Sequence, residues 1–206
     1  LMLNEVKHSI FKRTIQTITY MPHFVSLVVV CGIIKNFVAD TGLITSLLSS
    51  VGLVEKTDLL GKKELFVPIY VITGIWQEIG WGSIIYLAAL SGINMDLYEA
   101  ASIDGAGRWR QLFAVTLPGI MPTIVIMLIL RVGHIMGVGF EKIILLYNPL
   151  TYETADVISS YVYRRGLMEF NFSYSSAVGL FNSVINYALI IFTNWFSRRA
   201  GESSIW

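Results

Sequence analysis

Five polar side chains interrupt otherwise apolar stretches of this sequence: Glu78, Arg131, His134, Asn182 and Asn186. Glu78 lies among Trp76, Trp81 and Tyr86. Asn182 and Asn186 are four apart, so a helix would carry them on one face. Polar groups in such stretches are costly and face a cavity or a partner. The chemistry open to them is non-covalent. No G-x-x-x-x-G-K-[ST] phosphate loop, H-E-x-x-H metal pair or G-x-S-x-G elbow occurs in the sequence. His8, His23 and His134 are too scattered for a metal site, and Cys31, the single cysteine, lies in an apolar run as a small hydrophobe.

The elements that hold these groups read as membrane spans. Of 206 residues, 54% are hydrophobic and 14% charged, against about 25% charged in soluble domains. Net charge is +1, too little to draw in a polyanion, so no nucleic-acid partner is expected. A span needs about 20 mostly apolar residues. Four runs meet that, at 15–37, 66–90, 118–138 and 177–196, within a single transmembrane domain. Pro22 falls near the start of the first, where a helix tolerates proline. The opening Leu-Met-Leu-Asn-Glu reads as the end of an apolar element entering a charged loop (Lys7, Lys12, Arg13). It lacks the pattern of a signal peptide, and further N-terminal sequence is expected before it.

The connections differ in character. Residues 38–65 contain TGLITSLLSSVGL, whose period predicts a short amphipathic helix on the membrane surface. Residues 139–176 read as a long, aromatic-rich connection. Lys and Arg divide nearly evenly between the two sides, so the positive-inside rule alone does not orient the chain.

The connection at 91–117 carries the most specific pattern. Asp96 is the expected N-cap, with Glu99 completing a capping box. A short helix through Leu97, Ala100, Ala101 and Ile103 follows, broken by Gly105 and Gly107. Trp109, Leu112, Phe113 and Thr116 then share the face of a second short helix, which Pro118 ends as the next span begins. The result is a helix–turn–helix with a small-residue tip that another protein could approach closely.

The spacing E-A-A-x-x-x-G-x9-I-x-L-P, met by Glu99, Ala100, Ala101, Gly105, Leu117 and Pro118, resembles the permease subunits of binding-protein-dependent ABC importers. Val115 replaces the usual Ile. WQEIGWGSIIYLAALSGI, GFEKIILLYNP, YETADVISSYVYRRGL and the ending ESSIW are similar to the oligosaccharide and polysaccharide branch of the maltose-type importers. The resemblance covers essentially the whole chain, which looks like the last four of about six spans.

The resemblance implies an all-α polytopic protein with the ABC type I importer permease fold. It implies a transport subunit, with no enzymatic chemistry and no cofactor of its own, in a bacterial cell membrane. The 91–117 loop would be the coupling helix, docked in a groove of a cytoplasmic ATPase. Glu99, Ala100, Ala101, Gly105, Leu117 and Pro118 would form that contact. The implied partners are the bilayer, a second homologous permease, two ATPase subunits that hold ATP and Mg, and an external or periplasmic solute-binding protein. The loop and the C-terminus would be cytoplasmic, with 38–65 and 139–176 external. Trp76, Glu78, Trp81, Arg131, Asn182 and Asn186 are candidates for a saccharide path, by hydrogen bonding and by stacking on sugar C–H faces. Other readings of them stand: Glu78 pairing with Arg131 or a partner residue, and the asparagines bonding helix to helix. An amino acid, peptide, phosphate or metal-chelate cargo keeps the same fold. A membrane-embedded enzyme or anchor would need a catalytic set or a soluble domain that the sequence does not offer.

Overall fold

A computed structural model describes Val6 and residues 8–199; Lys7, the opening five residues and the ESSIW ending lie outside the described residues. Among the described residues every regular element is helical. The helices are α1 (Ser9–Phe24), α2 (Leu27–Val38), α3 (Leu43–Ser50), α4 (Lys63–Ser91), α5 (Met95–Ile103), α6 (Arg108–Gln111), α7 (Leu117–Gly133), α8 (Phe140–Leu146), α9 (Tyr152–Ala155), α10 (Ile158–Tyr163) and α11 (Phe172–Arg199). Wider π-helical turns occupy Leu112–Thr116 and Arg164–Met168. Among the described residues three stretches are long and apolar enough to cross a membrane: Leu27–Ser50, Arg108–Gly133 and Phe172–Arg199. Helix α4 is as long, at 29 residues, and carries Lys63, Glu64 and Glu78.

The first expected span is two helices. Pro22 sits inside α1 near its end, where it is buried. The chain then breaks at Val25–Ser26. Ser26, a residue type favoured at helix starts, takes φ −52° and ψ 135° and begins α2. The third span differs at both ends. It closes at Gly133, where the His134 N–H donates to the Arg131 carbonyl. At its start, Gln111 and Leu117 are both right-handed helical, so α6, the π turn and α7 run on without a break. Pro118 therefore does not end a helix. Its missing N–H and its ring disfavour an ordinary turn, and the wider turn closes instead through the Leu117 N–H and the Leu112 carbonyl. The 139–176 stretch is not an open connection but three short helices and a π turn.

The chain divides into two compact units. One comprises 18–80 and 136–183. Its core is Val30, Cys31, Ile34 and Val38 of α2 with Leu59, Leu60, Phe66, Leu146 and Ala155. The short helix α3 packs on α2 and buries Thr45. Polar ties pin the outer helices to this core. Asn148 Nδ2 donates to the Leu60 carbonyl at 3.0 Å, Thr154 Oγ1 donates to the Lys63 carbonyl at 3.2 Å, and Lys63 pairs with Glu153. Within the same unit Gly80 lies against the backbone carbonyl of Thr19, leaving no room for a Cβ. The other unit comprises, among the described residues, Val6, 8–17, 81–135 and 184–199. Leu90, Thr116, Ile120 and Ile129 are buried there, and Gly119 and Gly133 admit the side chains of Ile93 and Ile190. Ile72, Ile79, Phe181 and Phe192 remain exposed, as surfaces facing lipid or another subunit are.

The Gly80 contact gives a direct test. Gly80→Ala places a methyl against a backbone carbonyl that cannot move aside cheaply, and overpacking of this kind costs about 1–3 kcal/mol. Gly82→Ala meets nothing within 4 Å and gains helix propensity. Thermal unfolding in detergent should therefore show a lower Tm for Gly80→Ala and an unchanged or higher Tm for Gly82→Ala.

Candidate functional site

Two places bring polar and aromatic groups to a surface in a fixed arrangement. The first is the tip at 94–107. Its N-cap is Asn94, not Asp96: the Asn94 side chain accepts from the Asp96 N–H at 3.0 Å. Both types cap well, and the extended backbone at position 94 decides between them. Glu99 and Ala100 are exposed and Ala101 half-buried. The end of α5 is a Schellman turn: the Ala106 N–H donates to the Ala101 carbonyl at 2.9 Å and the Gly105 N–H to the Ser102 carbonyl at 3.1 Å. Gly105 takes φ +74°, a region that L residues with a Cβ rarely occupy. Gln111 Nε2 clamps the turn by donating to Ser102 Oγ at 2.9 Å and to the Ala106 carbonyl at 3.0 Å. The Tyr98 hydroxyl and Thr116 Oγ1, 2.9 Å apart, tie α5 to the π turn. On this braced frame Ile103 is 87% and Trp109 75% exposed. Leu117 and Pro118 follow at the start of α7, half-buried and exposed.

The second place is a cavity of about 570 Å³ in the unit built from 18–80 and 136–183. Phe140 and Tyr163 meet edge to face, with centroids 5.6 Å apart, on one side of it. Ser159, Gly166, Ser175, Ser176, Gly179 and Asn182 contribute the rest of its polar and bare surface. The π turn at 164–168 forms part of this wall. Ser175 Oγ donates to the Val162 carbonyl at 3.1 Å and holds α11 against it. Asn182 also lines the cavity, and its Oδ1 is buried with no hydrogen-bond partner among the described residues.

Arg164 anchors the outer side of this wall. Its guanidinium forks onto both oxygens of Asp156 and stacks on Tyr152, 4.5 Å from the ring centroid. Burial works to raise the Asp156 carboxyl, but hydrogen bonds from Arg164 and Ser160 outweigh it and hold the group below the usual carboxylate range. The same Asp156 bond pushes the Arg164 guanidinium up.

The other expected path residues lie elsewhere. Glu78 pairs with His23, Nδ1 to Oε2 at 3.4 Å. Trp76 lies two residues before Glu78, so the helix turns it to another side; it and Trp81 are exposed. Arg131 is exposed in the last turn of α7, and the Asn186 side chain buries its Oδ1 with no hydrogen-bond partner among the described residues. Of the expected path residues, Asn182 alone lines the cavity among the described residues. The aromatic, serine and glycine lining was not singled out from sequence. The only signal for it was the density of such residues in SSYVYRRG and FSYSSAVG.

The chain is similar to known proteins along its whole length. A family described as binding-protein-dependent transport system inner membrane component matches residues 1–202. Protein LplB of Bacillus subtilis is 42% identical over 206 residues, 100% of this chain and 64% of LplB. The polygalacturonan/rhamnogalacturonan transport system permease protein YteP of the same organism is 43% identical over 209 residues, again 100% of this chain and 64% of YteP. The chain thus spans just under two thirds of these relatives. A crystal structure of a bacterial ABC transporter that imports the acidic polysaccharide alginate matches with TM-score 0.92 at 48% identity, over 96% of this chain and 69% of that one. A bacterial alginate ABC transporter in complex with an alginate pentasaccharide-bound periplasmic protein matches with TM-score 0.95 at 46% identity, over 99% and 71%.

The Asp156 pair sets a pH dependence for the outer wall. A carboxyl whose value is lowered by folding contributes stability in full above the ordinary range near 3.9. That contribution is lost as pH falls through the lowered folded value. Protection factors for hydrogen exchange of amides at 156–168, taken against the intrinsic rate at each pH, should stay high at neutral pH and fall as the medium is acidified below about pH 4. Asp156→Asn should remove this dependence and quicken exchange already at neutral pH.

Proposed function

The chain belongs to the family of binding-protein-dependent transport system inner membrane components, and we propose that it works there as the permease subunit of an ATP-driven saccharide importer. The observation that carries the proposal is the tip at 94–107. A rigid, exposed helix–turn–helix with Ile103 and Trp109 uncovered is what a groove in a second protein would need to grip, since exposed apolar patches of this kind mark interaction sites. It stands between long apolar elements, so a displacement of the tip is carried by a continuous helix, α6 through α7.

In this reading Glu99, Ala100, Ala101 and Gly105 present the surface to an ATPase subunit, with Leu117 and Pro118 at the root of the lever. ATP and Mg are held by two such subunits. The tip and the C-terminal Arg198–Arg199 side are cytoplasmic. A second, homologous permease covers the exposed helix faces, and a solute-binding protein delivers cargo on the opposite side. The saccharide class rests on YteP, named for polygalacturonan and rhamnogalacturonan transport, and on the alginate transporters. The cavity supports it with chemistry: hydroxyls and an asparagine for sugar hydroxyls, and rings for sugar C–H faces.

Gly105→Asp and Ala101→Arg should separate coupling from folding. The first forces a Cβ into φ +74°, and the second adds bulk to a packed contact at about 1–3 kcal/mol, roughly a 5- to 150-fold loss of affinity. Both variants should insert in the membrane at wild-type levels. Both should lose co-purification of the ATPase and the hydrolysis stimulated by loaded binding protein. Wild-type values in both assays would move the coupling site elsewhere.

A further inference from the structure

Glycine inside a long helix is a cost, because it surrenders backbone entropy and has no side chain to pack. Such a residue needs a reason, and Gly166 and Gly179 on the cavity wall differ in theirs. At Gly166 a Cβ would stand 2.6 Å from Ser175 Oγ and 2.8 Å from Ser175 Cβ. Gly166 is buried, and its bareness is what lets the π turn lie on α11. At Gly179 a Cβ would meet nothing within 4 Å. The fold of this chain would accept alanine there and gain helix propensity from it. Gly179 is one of the residues that line the cavity.

We infer that Gly179 is a specificity-determining residue: its bare backbone is the floor on which one sugar ring of the cargo lies, and the missing Cβ sets the thickness of saccharide admitted. The inference rests on the saccharide reading above and deepens it. Asn182 lies less than one turn along α11 on the same cavity, and a rotation of its amide would bring Oδ1, buried with no partner among the described residues, to a hydroxyl at the edge of a ring so placed. The preceding turn of α11 offers the Ser176 hydroxyl on the same cavity. Phe140 and Tyr163 supply aromatic surface to the ring's C–H face. Every residue lining the cavity is uncharged, so what this wall reads is the ring and its hydroxyls. A carboxylate on the same sugar would be stripped of water here without a cation to meet it, and it must point to the open side.

The test uses the full-length chain assembled with its second permease, ATPases and binding protein in proteoliposomes. The probes are short and long galacturono-oligosaccharides and their neutral galacto-oligosaccharide counterparts. Gly179→Ala should assemble normally, hold or raise its Tm, and increase the KM for transport several-fold with kcat little changed. Gly179→Leu should assemble normally and lose transport, with branched or substituted saccharides lost before linear ones. Asn182→Ala should raise KM without altering assembly. Wild-type kinetics in Gly179→Leu would overturn the inference and leave the saccharide reading standing. So would failure of Gly179→Ala to assemble with the second permease, which would make the glycine a helix-packing residue. A wild-type transporter that carries none of the probes would overturn the saccharide reading, and the inference with it.

Discussion

Inside a bilayer no water completes a backbone hydrogen bond, so each departure from helical geometry must be satisfied by the protein itself. The break at Val25–Ser26 and the turn ahead of Pro118 answer that constraint, and the irregular points outside the candidate spans are satisfied by the chain's own groups as well. At Val25–Ser26 the Val25 N–H turns back to the Pro22 carbonyl and the Val30 N–H takes the Ser26 carbonyl. At the tip a Schellman turn answers the last carbonyls of α5, with Gly105 supplying the left-handed residue. Ahead of Pro118 the helix widens to a π turn rather than break. The second π turn closes with the Glu169 N–H on the Arg164 carbonyl, and the Asn171 N–H reaches the Arg165 carbonyl. Phe170 then carries φ +59°, strain of a kind that costs about 1–3 kcal/mol and persists where surrounding structure fixes it. The two π turns fall at the root of the exposed tip and in the cavity wall, in keeping with the association of such turns with functional positions.

The sequence was legible where one physical signal dominates. Long apolar blocks fix the helices because burial and lipid exposure both demand them, and the small-residue tip is readable because Glu99, Ala100, Ala101 and Gly105 keep a rigid spacing. The cap was misplaced by two residues because Asn94 and Asp96 are equally good cap types, and only backbone angles separate them. The break in the first expected span escaped notice for a related reason: Pro22 draws attention, but the interruption lies beyond it, at a serine. The stretch 139–176 reads as a connection because its apolar residues come in pieces too short to show a period. Its helices are held by distant polar partners, such as Asn148 on the Leu60 carbonyl, and no local pattern announces those.

The cavity was the least legible part. Asn182 stood out because an amide in an apolar run is costly. The serines, glycines and aromatics around it are common residue types, and their meaning comes from being brought together across α8, α10 and α11. Glu78 stood out for the same reason as Asn182, yet its partner is His23, and it takes no part in the wall. Cost in the membrane marks a residue as needing a partner without saying whether that partner is a side chain or a ligand.

The distribution of charge in this unit follows from the same reasoning. The unit carries many ionisable groups, and eight of them form four ion pairs: Lys62 with Glu55, Lys63 with Glu153, Arg164 with Asp156, Arg165 with Glu169. Exposed pairs of this sort add little stability each. The Arg164–Asp156 fork is the exception, because both side chains are largely covered and Tyr152 stacks on the guanidinium. Two of the pairs bracket the π turn that forms the cavity wall, so the arginines that begin it are engaged with carboxylates. What remains facing the cavity is hydroxyl, amide, aromatic ring, bare backbone and the aliphatic Ile158, Val162 and Leu167. A wall of that composition binds a polyhydroxylated ring through many weak and exchangeable contacts. A transport pathway needs contacts of that kind, because a charge pair strong enough to select its cargo would also be strong enough to hold it.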